Sequence, residues 1–358
     1  GHAPKEVALA LSEQASTLLT PSPAFHNAPQ LRLARRLCEL SGLSHATFCS
    51  SGAEAVETAL KLCRKWGRLH KRGAFEVIST LDAFHGRTLA AMAASGKPGW
   101  EELFPPYPKG FIKVKFGDIG AMRERITAST VAILVEPIQG EAGAVVPSTH
   151  YLRDLRALAD EHDLLLVFDE VQTGMGRTGT LFAFEQAGVL PDVITLGKGL
   201  GAGVPLSAVL VNDRANVFSP GDHGGTFNGN PLMTAVGCAV LDVVSEPEFL
   251  KTVRQRAQQL RNGLEVLGRR FAGSVRGNGL LMGLVLPTPI AGRVRDACLA
   301  RGLLVNAARP NVLRFMPQLR VTEQEIVDML ERLARSIEDV LEENSGHRAL
   351  VEGQRLSV

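Results

Sequence analysis

Short apolar runs recur along the first two thirds of the chain. Five of them, Phe75–Ser79, Phe111–Phe116, Val131–Val135, Leu164–Phe168 and Val193–Leu196, are continuous rather than alternating, and a sixth, Ser207–Val211, follows. Continuous apolar strands belong to a sheet covered on both faces, and most of the connections are long enough for helices. The pattern predicts an α/β fold with a mostly parallel central sheet. Helical signals fit between the strands. Ser51-Gly52-Ala53-Glu54 reads as a capping box, followed at helical spacing by Val56, Leu60 and Cys63. Phe249, Val253, Ala257, Leu260, Leu264, Leu267 and Phe271 step by three or four, which predicts a long amphipathic helix bridging two domains. A second box, Thr322-Glu323-Gln324-Glu325, opens a helix with Ile326, Met329, Leu333, Ile337 and Leu341 inward. Between these helices, Leu280–Leu286, Leu303–Asn306 and Val312–Phe315 read as strands of a smaller α+β domain. The expected layout is a large domain over 20–245, a small one from 1–19 plus 246–345, and a polar, frayed tail over 346–358.

Composition narrows the function classes. The 358 residues include 39 basic and 37 acidic side chains, a near balance that argues against a surface built for nucleic acid or anionic lipid. No apolar run approaches the roughly 20 residues of a membrane span. Five cysteines without a C-x-x-C pair read as buried free thiols in a reducing cytosol, and with no signal peptide at Gly1 the expectation is a cytoplasmic protein. No histidine cluster suggests a metal.

Ligands of open parallel sheets bind beyond the carboxyl ends of the strands. Glu136 to Glu141 follow one apolar run, Asp169 to Gly174 the next, and Gly197-Lys198-Gly199 a third. Two acids and a lysine thus stand at one sheet edge, where charge is costly unless paired or used. A partly desolvated lysine can form a Schiff base. A carboxylate such as Asp169 can face a protonated pyridine nitrogen and keep pyridoxal phosphate (PLP) an electron sink. Ser51-Gly52-Ala53, at a helix start, offers backbone N–H groups to a phosphate. Each feature alone also has a plain reading: a loop lysine, a strand-end cap, an ordinary N-cap.

Six motifs in one order carry a resemblance: Cys49 to Ala55, Phe84-His85-Gly86-Arg87-Thr88, Glu136 to Glu141, Asp169 to Gly179, Lys198, and Thr226-Phe227-Asn228-Gly229-Asn230-Pro231. Together they resemble the class III aminotransferases of PLP fold type I, most of all the acetylornithine branch and next the ornithine branch, from Gly1 to about residue 341. The resemblance implies that Lys198 holds PLP and shuttles a proton, and that Asp169 pairs with the pyridine nitrogen. It places Val171 and Phe84 on the two ring faces, Gln172 on the phenolic oxygen, and Ser51, Gly52 and Ala53 around the phosphate. Thr226 would reach the phosphate of a neighbouring subunit, which implies a homodimer with shared sites. Arg87 would bind the donor α-carboxylate, while Glu141 masks or frees Arg314 for 2-oxoglutarate. His85 could stack or donate but reads first as structural, and Cys49 and Cys63, near the phosphate helix, read as packing.

The implied activity is transfer of a terminal amino group from N-acetylornithine, or a similar ω-amino donor, to 2-oxoglutarate. Ornithine, succinylornithine, succinyl-diaminopimelate and 4-aminobutyrate are alternative donors; an aminomutase, a decarboxylase or an inactive regulator are rivals on the same scaffold. Two departures stand out. Gly225 lacks the hydroxyl that relatives often carry there, and Asn228 stands where glycine is more usual. Relatives also carry a segment ahead of the residue matching Gly1, so the chain is expected to lack part of the donor pocket.

Overall fold

A computed structural model describes residues 2–355, with side chains to residue 343. Its helices are α1 (Lys5–Ala15), α2 (Ala28–Ser41), α3 (Gly52–His70), α4 (Leu89–Ala94), α5 (Ile119–Glu124), α6 (Tyr151–Glu161), α7 (Pro231–Val244), α8 (Pro247–Arg270), α9 (Ala291–Ala300) and α10 (Glu323–Arg355). Its strands are β1 (His45–Cys49), β2 (Glu76–Thr80), β3 (Phe111–Val114), β4 (Thr130–Val135), β5 (Leu165–Asp169), β6 (Val193–Leu196), β7 (Ser207–Val211), β8 (Ser274–Asn278), β9 (Leu281–Val285), β10 (Asn306–Arg309) and β11 (Val312–Phe315).

The chain divides into two compact units. The larger comprises residues 1–141 and 146–251, and the smaller 142–145 and 252 onward. Residues 1–19 therefore fall in the larger unit, not in the smaller one to which the sequence assigned them, because α1 packs along α7. The predicted frayed tail is also different. Helix α10 continues to Arg355, through a stretch with no proline to stop it, and of the tail 356–358 lie outside the described residues.

In the larger unit, a seven-stranded sheet runs β1-β7-β6-β5-β4-β2-β3. The strands β6, β5, β4, β2 and β3 are parallel neighbours, and β7 is antiparallel to both β6 and β1. Strands β4 to β7 are buried along their whole length, which is why they read as unbroken apolar runs. Helix α3 packs Ala55, Val56, Ala59, Leu60, Cys63 and Trp66 against Val131, Leu134, Val167, Val193 and Val209. In the smaller unit, a four-stranded antiparallel sheet runs β10-β11-β9-β8. There α8 buries Val253, Ala257, Leu260, Leu264 and Leu267. On α10, Ile326, Leu333 and Ile337 are buried as expected, but Val340 takes the inward place and Leu341 is exposed.

Parallel register lines up the strand ends. Val135 of β4 pairs with Phe168 of β5, so Glu136 and Asp169 come next to each other at the carboxyl edge. Asp169 in turn pairs with Thr195 of β6, three residues before Lys198. Residues distant in sequence thus meet at one rim of the larger unit.

Candidate active site

Asp169 ends β5 and is 4% exposed. Its Oδ1 accepts hydrogen bonds from Thr195 Oγ1 at 2.8 Å and from the Val171 amide at 3.1 Å. Its Oδ2 meets His85 Nδ1 at 2.7 Å. Three contacts orient the carboxylate, and His85 is itself buried, with its amide donating to Ser95 Oγ. The other ring nitrogen of His85, Nε2, is buried with no protein partner.

Glu136 follows β4 and is equally enclosed, at 5% exposure. It accepts from the amides of Phe84 at 3.1 Å and Gly140 at 3.4 Å, so it ties the loop bearing Phe84 to the loop bearing Glu141. Burial pushes its carboxyl up to about 7; His85 and Lys198 partly offset that, and Asp169 adds to it. Glu170, also pushed up to about 7 by burial, does structural work instead. It accepts from the amides of Ala183 and Phe184 and from Thr173 Oγ1.

Lys198 follows β6 in a single turn of 3₁₀ helix and is exposed at the rim. Its φ is +37°, in the left-handed region that side chains rarely adopt, and strain of this kind is characteristic of functional positions.

Helix α3 begins at the same rim. Ser51 Oγ accepts from the Glu54 amide at 3.3 Å, and Glu54 Oε2 accepts from the amides of Ser50 and Ser51 at 2.8 and 2.9 Å. This capping box fixes the first turn, whose next amides belong to Gly52 and Ala53 at the positive end of the macrodipole. Gly52 has to be glycine, since a Cβ there would come within 2.8 Å of Val171 Cγ1. The Gln172 amide lies over Gly140, where a Cβ would fall 1.3 Å from its Oε1, and that oxygen is buried without a partner.

Phe84 is half-buried and meets Trp100 edge-on at 5.7 Å between centroids. Two cations share these rings. Lys97 Nζ lies 5.2 Å from Phe84 and 5.4 Å from Trp100, and the Arg87 guanidinium 5.9 Å and 5.5 Å. Glu141 Oε2 is 3.5 Å from Lys97 Nζ.

The larger unit therefore assembles Ser51, Gly52, Ala53, Phe84, Asp169, Val171, Gln172 and Lys198 at one rim, with Arg87 and Glu141 around Phe84. Thr226 stands apart, exposed in a turn closed by the Asn228 amide on Gly225 O. Arg314 is buried in β11 of the smaller unit, opposite Gly283 of β9 and Asn306 of β10. Sequence reasoning set Glu136 at the sheet edge without giving it a role, left out Thr195, Lys97 and Trp100, and put a structural role for His85 ahead of stacking or donating. Lys97 lies in an irregular loop without periodicity, and Trp100 opens the short 3₁₀ turn that follows it. Among the described residues no His/Cys/Asp/Glu group could hold a metal ion, and no helix is long and apolar enough to cross a membrane. Cys49, Cys63, Cys238 and Cys298 are buried free thiols and Cys38 is a half-buried one.

These residues fit PLP. A buried carboxylate is aimed from a strand end, a strained lysine follows the next strand, and a capped helix start can take a phosphate. The unpartnered Gln172 Oε1 marks a polar atom left for a ligand. Fold and site together define a PLP-dependent transferase of fold type I. The Aminotransferase class-III family model matches residues 1–337, and the chain belongs to that family of PLP-dependent transaminases, which pass an amino group from a donor to a keto acid. It is 49% identical over 337 residues to acetylornithine aminotransferase 2 of Bordetella parapertussis, covering 93% of this chain and 85% of that one. To acetylornithine aminotransferase of Methanocaldococcus jannaschii it is 44% identical over 334 residues, covering 92% and 83%. Among solved structures, the ornithine aminotransferase of Toxoplasma gondii superposes with a TM-score of 0.91 at 34% identity, covering 96% and 84%. The N-acetylornithine aminotransferase of Stenotrophomonas maltophilia gives 0.82 at 35%, covering 94% and 86%.

Proposed function

We propose that this transaminase takes the terminal amino group of N-acetylornithine, or a closely similar ω-amino donor, and passes it to 2-oxoglutarate, giving a semialdehyde and glutamate. The observation that carries the reading is the meeting of Lys198, Asp169 and the α3 start at one sheet edge, in a chain nearly half identical to acetylornithine aminotransferases.

PLP, when bound, supplies an electron sink for the charge left on carbon after a proton departs. The chain does the rest. Asp169, oriented by His85, Thr195 and the Val171 amide, would pair with the pyridine nitrogen. Val171 and Phe84 would hold the cofactor ring between them, and the Gln172 amide would bond its phenolic oxygen. Ser51, Gly52 and Ala53 would hold the phosphate, joined in a homodimer by the partner subunit's Thr226. Lys198 Nζ would hold the cofactor and would move the proton to and from the donor carbon. Arg87 binds the donor α-carboxylate. Glu141 serves the donor stage, and Arg314 receives a carboxylate of 2-oxoglutarate. The donor and 2-oxoglutarate would be taken in turn, in a ping-pong cycle.

Substitution Lys198→Ala tests the reading. The variant is expected to lose turnover of N-acetylornithine with 2-oxoglutarate, together with the long-wavelength absorbance of the lysine-bound cofactor. Steady turnover in the variant would rule out Lys198 as the catalytic residue. A single-turnover screen of ω-amines on the wild type ranks the donors, and N-acetylornithine is expected first.

A further inference from the structure

The loop after α4 carries Lys97, to which the family resemblance assigns nothing. Its ammonium sits over both Phe84 and Trp100, as the Arg87 guanidinium does, and lies 3.5 Å from Glu141 Oε2. The side chains of Lys97 and Glu141 are only 24% and 30% exposed, so solvent screens this ion pair less than it would a surface pair, while Arg87 is exposed. Two cations and one carboxylate around one aromatic pair leave an excess positive charge beside the Phe84 ring.

We propose that Lys97 is a specificity-determining residue that selects donors whose α-amino group is acylated over free α,ω-diamino acids. This rests on the reading of Arg87 as the group that binds the donor α-carboxylate. The α-nitrogen is attached to the carbon bearing that carboxylate, so a donor held on Arg87 brings its α-nitrogen to the same cluster. A free diamino acid carries an ammonium there, a third positive charge beside Arg87 and Lys97. Glu141, the acid that could offset it, already attends Lys97. An acylated nitrogen is uncharged, and its amide oxygen can accept a hydrogen bond from Lys97 Nζ. Like-charge exclusion is an effective way to reject a competitor that differs little in size.

The test uses purified, cofactor-loaded enzyme in single-turnover donor half-reactions with N-acetylornithine and ornithine. Wild type, Lys97→Met and Lys97→Arg are compared, with cofactor absorbance confirming that each variant is loaded. Wild type is expected to prefer N-acetylornithine. Lys97→Met is expected to cut that preference by about tenfold, mainly through a higher kcat/KM for ornithine, since a change of that size needs only about 1.4 kcal/mol. Lys97→Arg, which keeps the charge, is expected to keep the preference. An unchanged preference in Lys97→Met, or an equal loss with both donors, overturns the proposal while leaving the proposed function standing. A wild type that reacts with neither donor overturns both.

Discussion

Glu136 shows how position alone changes what a carboxyl group does. Its two amide partners, Phe84 and Gly140, are neutral, and it lies among Asp169, His85 and Lys198 in a space closed to water. Burial therefore lifts its carboxyl from the usual 4.5 to about 7. The folded chain holds this proton more tightly than the unfolded chain does. The associated stability is fully present below pH 4.5 and is lost as pH rises toward 7. Glu136→Gln cannot ionise, so it should escape that loss. Urea unfolding of cofactor-free protein at pH 5 and pH 8 is expected to show wild type falling relative to the variant by up to about 3 kcal/mol. Parallel pH profiles for the two would contradict it. Asp169 was legible as a candidate because it is charged and ends an apolar run. That His85 would be its partner was not, since the two are 84 positions apart and meet only through the fold.

At the scale of elements, the start of α3 joins a stability device to a binding device. The capping box uses Ser51 Oγ and the Glu54 carboxylate to satisfy amides of the first turn, and so holds Gly52 and Ala53 in place at the sheet rim. Ser51→Ala and Glu54→Ala should each cost about 1 kcal/mol in urea unfolding, with the double variant costing less than the sum because the two share one motif. Additive losses would mean that the two caps act independently. Both boxes were readable from short spacing, and the second also forms, with Glu325 accepting from the Thr322 amide. Strands β4 to β7 were equally legible because burial on both faces enforces apolar residues throughout. Strand β1 was missed: it is an edge strand with only Phe48 and Cys49 buried, so half of its sequence is free to be polar. Strand β8, Ser-Val-Arg-Gly-Asn, has no apolar alternation. Strand β10 lies further on than the apolar run Leu303–Asn306 suggested, because its pairing with β11 sets its place and Leu304 is left exposed.

For the whole molecule, the larger unit leaves Phe25 69%, Phe104 57% and Phe227 61% exposed. Phe227 is next to Thr226, the residue proposed to reach a neighbouring subunit. Sedimentation should accordingly give twice the chain mass at micromolar concentration, and Thr226→Ala should lose cofactor on dialysis faster than wild type. A monomer that is loaded with PLP and active would refute the shared site.

The sequence by itself determined the class of fold, the strand ends that carry charge, and the motifs of the class III aminotransferases. It could do so because buried parallel strands and capped helices impose local patterns, and because Lys198, Asp169 and the Ser51 turn lie directly after such patterns. Only the tertiary structure decided which of these groups meet. Strand register set Glu136 beside Asp169, helix packing put α1 in the larger unit, and an irregular loop laid Lys97 against Phe84, Trp100 and Glu141. These are contacts across long stretches of chain, chosen by packing and pairing, and no local pattern of residues encodes them.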